Sequence, residues 1–193
     1  MADYEENMAI DLSDMEQYIK DMLFCIGEDP KREGLLETPR RVLKSWRELY
    51  SGYGLDPSSI LKTTFADGAC KEMVICRDID YFSMCEHHIL PFYGRVHIGY
   101  IPNSRVVGLS KLPRLVEVFS RRLQIQEKMT AQIADTLMEV LQPKGCMVIV
   151  EGKHMCMMAR GIKKQNSIMT TSAIRGDFEK AQVREEFLNL IKL

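Results

Sequence analysis

Residues 95–151, RVHIGYIPNSRVVGLSKLPRLVEVFSRRLQIQEKMTAQIADTLMEVLQPKGCMVIVE, decide the fold. The stretch begins and ends on β-branched segments with strand alternation, Arg95 to Ile101 and Cys146 to Glu151. Two helical segments lie between them. Leu112 to Arg122 has Pro113 near its first turn, and Glu127 to Leu141 carries Ile133, Leu137, Val140 and Leu141 on one face. Further strands are expected at Met73 to Ile79 and at Ile168 to Ile174, and a helix from about Glu179 to Lys192 closes the chain. The order strand-strand, helix-helix, strand-strand predicts an α+β antiparallel unit with its helices on one face. A four-stranded sheet of this size has open edges and little core of its own, so pairing of strand edges between copies would relieve it.

Upstream, helical spacing from about residue 13 to 26 (Met15, Tyr18, Ile19, Met22, Leu23, Ile26) is ended by Gly27 and Pro30. A second helix is expected to open with Thr38 as N-cap and Pro39 at its first position. Its apolar stripe is Val42, Leu43, Trp46, Leu49 and Tyr50, and Gly52 and Gly54 stop it. The expected organisation is therefore an acidic, mobile tail over residues 1–12, a helical lobe over 13–56, and the α+β unit over 57–193.

Composition narrows the function classes. A net charge of −1 leaves no global basic field for nucleic acid or a membrane surface, and no apolar run is long enough to span a bilayer. The first 29 residues hold nine acidic side chains and one lysine, unlike a basic secretory leader or an Arg-rich transit peptide. Six cysteines in such a chain read as reduced thiols in a cytosol, so the expected location is cytoplasmic. Cys25, Cys70, Cys76 and Cys146 are expected to pack as neutral apolar residues.

Two segments carry the chemistry: Cys85-Glu86-His87-His88 and Lys153-His154-Met155-Cys156, which hold three of the four histidines and two of the six cysteines. Thiolate and imidazole suit a borderline-soft ion such as zinc, and a catalytic zinc takes three protein ligands and leaves a fourth position for water. Cys85, His88 and Cys156 would supply that triad, with His87 and His154 left unligated beside it as acid–base groups. Two other readings stay open on these residues alone. One is a structural zinc with His87 or His154 as fourth ligand; the other is buried cysteines with no metal. His97, on an alternating strand outside both segments, reads as structural.

Together with Gly108-Leu109-Ser110-Lys111, Gln124-Ile125-Gln126-Glu127 and the continuation His154 to Gly161 (HMCMMARG), these segments resemble the zinc-dependent GTP cyclohydrolase I family. Glu28-Asp29-Pro30 and Gly34 to Val42 (GLLETPRRV) are similar to that family's N-terminal lobe, so the resemblance runs from about Gly27 to the C-terminus. It implies the T-fold, with subunits joined edge to edge into pentameric barrels and two rings stacked into a decamer. It implies one Zn2+ per subunit, held by Cys85, His88 and Cys156. The implied reaction converts GTP and water to formate and 7,8-dihydroneopterin triphosphate, the first step of pterin (folate or tetrahydrobiopterin) biosynthesis.

The roles implied residue by residue follow the same chemistry. Water attacks C8 of guanine and His154 protonates N7, a task suited to a histidine near its own pKa. His87 supports it. If residues 154–156 are extended, His154 and Cys156 share a face and both point at the substrate. Glu127 accepts from the adjacent N1–H and 2-amino donors of guanine, and Gln126 contributes backbone contacts. Lys111, Arg114, Arg160, Lys44 and Arg41 neutralise the triphosphate, some from a neighbouring subunit. Ser110 lies near the ribose hydroxyls. A nitrile-reducing relative on the same fold would use a lone cysteine and nicotinamide, and the His-x-Glu and Pro-Cys-x-x-Cys signature of zinc deaminases is absent. A scaffold protein with a structural zinc would leave His87, His154 and Glu127 without a task.

Overall fold

The computed structural model of the chain describes residues 12–66 and 70–192. Helices α1 (Leu12–Cys25), α2 (Thr38–Leu49) and α3 (Pro57–Ile60) precede strands β1 (Thr64–Phe65), β2 (Val74–Cys85), β3 (Pro91–Ile101) and β4 (Val106–Val107). Then follow α4 (Lys111–Ser120), β5 (Leu123–Gln124), α5 (Gln126–Leu141), β6 (Gly145–His154), α6 (Met155–Met158), β7 (Met169–Gly176) and α7 (Ala181–Ile191). The mixed α+β order agrees with the sequence reading. Of the tail expected over 1–12, residues 1–11 lie outside the described residues, and Leu12 already begins α1.

The main sheet has five strands in the order β5-β2-β3-β6-β7, where four were expected. The long strands pair antiparallel, and the additional strand is the two-residue β5, which runs parallel to β2 through Met84↔Leu123 and Cys85↔Gln124. Two residues give no periodic signal, so this strand was not legible. The long strands also reach further than their apolar runs suggest: β2 continues to Cys85, β3 starts at Pro91 and β6 continues to His154. A register shift between Cys76 and Ile79, with Asp78 at φ 57°, breaks the alternation of β2 midway. His97 braces that bulge: its Nδ1 accepts the Asp78 N–H at 3.2 Å, in line with a structural role.

One face of the sheet carries the principal core. Tyr81, Phe92, Val96, Ile98, Val148 and Val150 meet Leu115, Val116, Phe119, Ile133 and Leu137 from α4 and α5. Each such side chain, wholly withdrawn from water, contributes roughly 1.5–3 kcal/mol. The helices are not confined to that face. Met147 and Ile149 point the other way and are covered by Phe178 and by Phe187 of α7. The alternation of β6 supplies apolar residues to both sides, which is the pattern of a strand sandwiched between layers.

Two local expectations are corrected. Glu37, not Thr38, is the N-cap of α2, and Thr38 and Pro39 are its first two residues. Neither position has an intrahelical acceptor for its N–H, so proline fits the second as well as the first. Cys25 is exposed at the end of α1, whereas Cys146 is buried, with its thiol pushed up to about 12 by burial. Cys70 and Cys76 are half-buried. Among the described residues no helix is long and apolar enough to cross a membrane.

Candidate metal centre and active site

Cys85 ends β2, and the chain turns at once into β3. The Cys85 N–H donates to the Leu90 carbonyl, and the Cys85 carbonyl accepts from both His88 and Ile89. That tight reversal is closed by Ile89 at φ 52°, a left-handed conformation that costs a β-branched residue on the order of 1–3 kcal/mol. It returns His88 to Cys85, placing Nδ1 3.9 Å from Sγ. The strand β5 fixes the same residue from its other side, through Cys85↔Gln124 and the Glu86 N–H donated to the Gln124 carbonyl at 3.1 Å.

Cys156 arrives from β6. That strand ends at His154 and the chain enters the single turn of α6. The expectation of an extended segment at 154–156 is therefore corrected: Cys156 reaches the centre from a helical turn, not from the same strand face as His154. Ligand atoms of Cys85, His88 and Cys156 all lie within 4.8 Å of one another. Donors on one zinc at about 2.0–2.3 Å stand roughly 3.3–3.8 Å apart, so this spacing accepts the ion with shifts of about 1 Å. The donor set of two sulfurs and an imidazole is also one that zinc selects. Burial, and then the nearby Cys85 thiol, push the Cys156 thiol up. A thiol whose ionisation is opposed in this way is one that a bound cation would favour in the ionised form.

His87 is exposed, with Nδ1 3.9 Å from the Cys85 Sγ, yet it does not share the mutual spacing of the three. No fourth His, Cys, Asp or Glu among the described residues shares it either. The geometry thus favours a centre with three protein donors over a closed four-ligand one.

His154 stands beside this cradle and is half-buried. Its ring stacks on Phe92 with centroids 4.6 Å apart and planes 5° from parallel. Its Nε2 is 2.8 Å from Oε1 of Gln126. Burial lowers its pKa, opposed by the Glu127 carboxylate. Gln126 is buried, and its side chain is committed to the interior. Glu127, next in sequence, is exposed in the first turn of α5. Arg160 is exposed just after α6, near enough for its charge to act on Cys156. Phe92 was not legible as a site residue, because nothing but its pairing with His154 across β3 and β6 brings it there.

The remaining cations do not join this cluster. The hairpin end of β3 is the site end, and β3 runs from there to Ile101; Tyr100, at its far end, bonds Val107 just before α4. Helix α4 then runs back toward Leu123 and Met84. Its first residues, with Ser110 as N-cap and Lys111 and Arg114 in the first turns, therefore stand at the opposite end of the sheet from Cys85. Ten helical residues span about 15 Å. Arg41 and Lys44 are exposed on α2, and their side chains make no hydrogen bond or ion pair among the described residues.

A cradle of two thiols and an imidazole, with a second histidine oriented at its edge, has the form of a catalytic metal centre. The family model for GTP cyclohydrolase I matches residues 15–192, and the chain belongs to that family. It is 64% identical over 179 residues to GTP cyclohydrolase 1 of Wolinella succinogenes, covering 92% of this chain and 96% of that protein. The same-named protein of Porphyromonas gingivalis is 54% identical over 179 residues, 93% of each chain. That of Bacteroides fragilis is 50% identical over 192 residues, 100% of this chain and 99% of the relative. The crystal structure of the archaeosine synthase QueF-Like in the apo form overlays 54% of this chain and 93% of that one, at 17% identity and a TM-score of 0.43.

Proposed function

We propose that this protein is a GTP cyclohydrolase I that takes GTP and water to formate and 7,8-dihydroneopterin triphosphate, the entry reaction of pterin biosynthesis, in the cytoplasm. The observation that carries the reading is the Cys85–His88–Cys156 cradle with His154 held at its edge, in a chain whose relatives bear that name over nearly their whole length. Zinc is the cofactor proposed, one ion per subunit, and when bound it supplies Lewis acidity that brings the pKa of water down toward neutrality.

This chain's own residues do the rest. Glu127 binds guanine through the paired N1–H and 2-amino donors, which sets C8 toward the cradle, and the Gln126 backbone adds to that contact. His154 moves the proton required at N7 when the imidazole ring opens. His87, exposed beside Cys85, supports the proton traffic. Arg160 meets the triphosphate from the site's own subunit.

Ser110, Lys111 and Arg114 serve the ribose and the triphosphate from a second copy, because in their own chain they stand at the wrong end of the sheet. Arg41 and Lys44 add charge from α2. A site completed between copies fits a T-fold ring, and the exposed Tyr18, Met22, Phe24, Ile26 and Leu36 on and after α1 give a further apolar surface for assembly. We take the decamer of two pentameric rings as the assembly, the helical lobe as residues 13–56 and the T-fold domain as 57–193.

Glu127→Ala tests the substrate. Loss of hydrogen bonds to a charged acceptor costs about 1.5–3 kcal/mol. The variant is therefore expected to raise KM for GTP by roughly 10- to 100-fold, to leave the metal content unchanged and to weaken discrimination against ATP. KM and discrimination at parental values would remove Glu127 from guanine recognition. Comparable rates with GTP and ATP in the parent protein would remove selective guanine recognition from the account.

A further inference from the structure

The buried amide of Gln126 has a task that its place in the motif does not reveal. Its Nε2 lies 3.0 Å from the Val150 carbonyl, 3.0 Å from the Met169 carbonyl and 3.1 Å from the Thr171 hydroxyl. Carbonyls can only accept. The threonine is also committed as an acceptor here. Thr130 donates its hydroxyl hydrogen to the Gln126 carbonyl at 2.7 Å, so the hydrogen shared between Thr130 and Thr171 must come from Thr171. Three acceptors therefore surround the amide nitrogen and fix which way the amide faces. Oε1 is left pointing at His154 Nε2, 2.8 Å away.

An amide oxygen cannot donate, so the hydrogen of that bond belongs to the imidazole. We infer that Gln126 is a positioning residue that holds His154 in the Nε2–H tautomer and leaves Nδ1 as the nitrogen that exchanges protons with the substrate. Nδ1 has no hydrogen-bond partner among the described residues. The ring plane is fixed independently by the stack on Phe92, which Tyr81 in turn backs edge-on with centroids 5.9 Å apart. Gly152 makes room for the arrangement, since a methyl group there would run into Gln126 Oε1 and the Tyr81 hydroxyl. A neutral imidazole carries one N–H, and an orienting acceptor decides which nitrogen bears it. The catalytic consequence rests on the reading of His154 as the acid–base group; the tautomer itself does not.

Two measurements test this. In the zinc-loaded parent protein with 15N-labelled histidine, solid-state NMR above the titration range resolves the two neutral tautomers, and His154→Ala assigns the resonances. The expected spectrum shows Nε2–H and a bare Nδ1 for His154; Nδ1–H would overturn the inference whatever any variant does. In Gln126→Met, which keeps the length and loses the acceptor, both tautomers are expected. There kcat should fall on the order of 10- to 100-fold, with KM for GTP within about twofold and zinc content unchanged. A parental kcat, or a spectrum still showing Nε2–H alone, would also overturn it. A Gln126→Met chain that does not fold leaves the parental spectrum to decide. If His154→Ala were fully active, the acid–base reading would fall and the tautomer would stand. An inactive His154→Ala with the wrong parental tautomer would do the reverse.

Discussion

Replacing His154 with alanine is expected to remove nearly all formate release from GTP while leaving the metal in place. A positioned acid–base group contributes roughly 10²–10⁴-fold to rate, and His154 is the one histidine held at the cradle's edge by a ring stack and a hydrogen bond at once. None of the three metal donors is touched by the change. The fold should survive. The cavity left against Phe92 and the unpaired Gln126 oxygen together cost a few kcal/mol, since a buried acceptor left unmet costs about 1–3 kcal/mol. Formate release, zinc per chain and a thermal melt, measured on one preparation, separate these effects. The expected result is a loss of at least about 10²-fold in rate with parental zinc. Turnover at the parental rate would remove His154 from the chemistry, and loss of zinc would make it a ligand instead.

Cys156→Ala is expected to fail one step earlier. With that thiol gone, Cys85 and His88 are the only donors of the described cradle, and two donors do not hold zinc as three do. Zinc should fall from about one per chain toward none, and formate release should fall with it, beyond the loss in His154→Ala. The order of the two variants is itself informative: His154→Ala keeps metal and loses rate, whereas Cys156→Ala loses both. Cys146→Ala is the matched control, because Cys146 is buried against the Ala134 carbonyl and away from the cradle. Full zinc in Cys156→Ala would mean that the ion is held elsewhere.

Much of this was legible in the chain, and the limits have physical causes. The period-2 and period-3.6 segments named the long strands and helices, because burial of one face imposes those periods. Where a residue's place is set by partners distant in sequence, the pattern was silent. β5 is two residues long and exists only because β2 lies beside it. Phe92 supports His154 solely through strand register. The ligand set Cys85, His88 and Cys156 could be read from Cys-x-x-His and His-x-Cys, but how His88 comes back to Cys85 could not, because it depends on the turn closed by Ile89. Gln126 looked like a neighbour of Glu127 in a motif, and only its three acceptors reveal what its side chain holds. Ser110, Lys111 and Arg114 read as site residues, yet one chain does not bring them to the site.

The most direct measurement is formate release from GTP by the purified, assembled protein, with the rise of pterin absorbance followed in parallel, before metal removal, after chelation and after zinc is restored. One formate per GTP consumed, lost with the metal and recovered with zinc, is the predicted result. A zinc-loaded assembly that leaves GTP intact would contradict it, and would make the Cys85–His88–Cys156 cradle a structural centre in a binding protein.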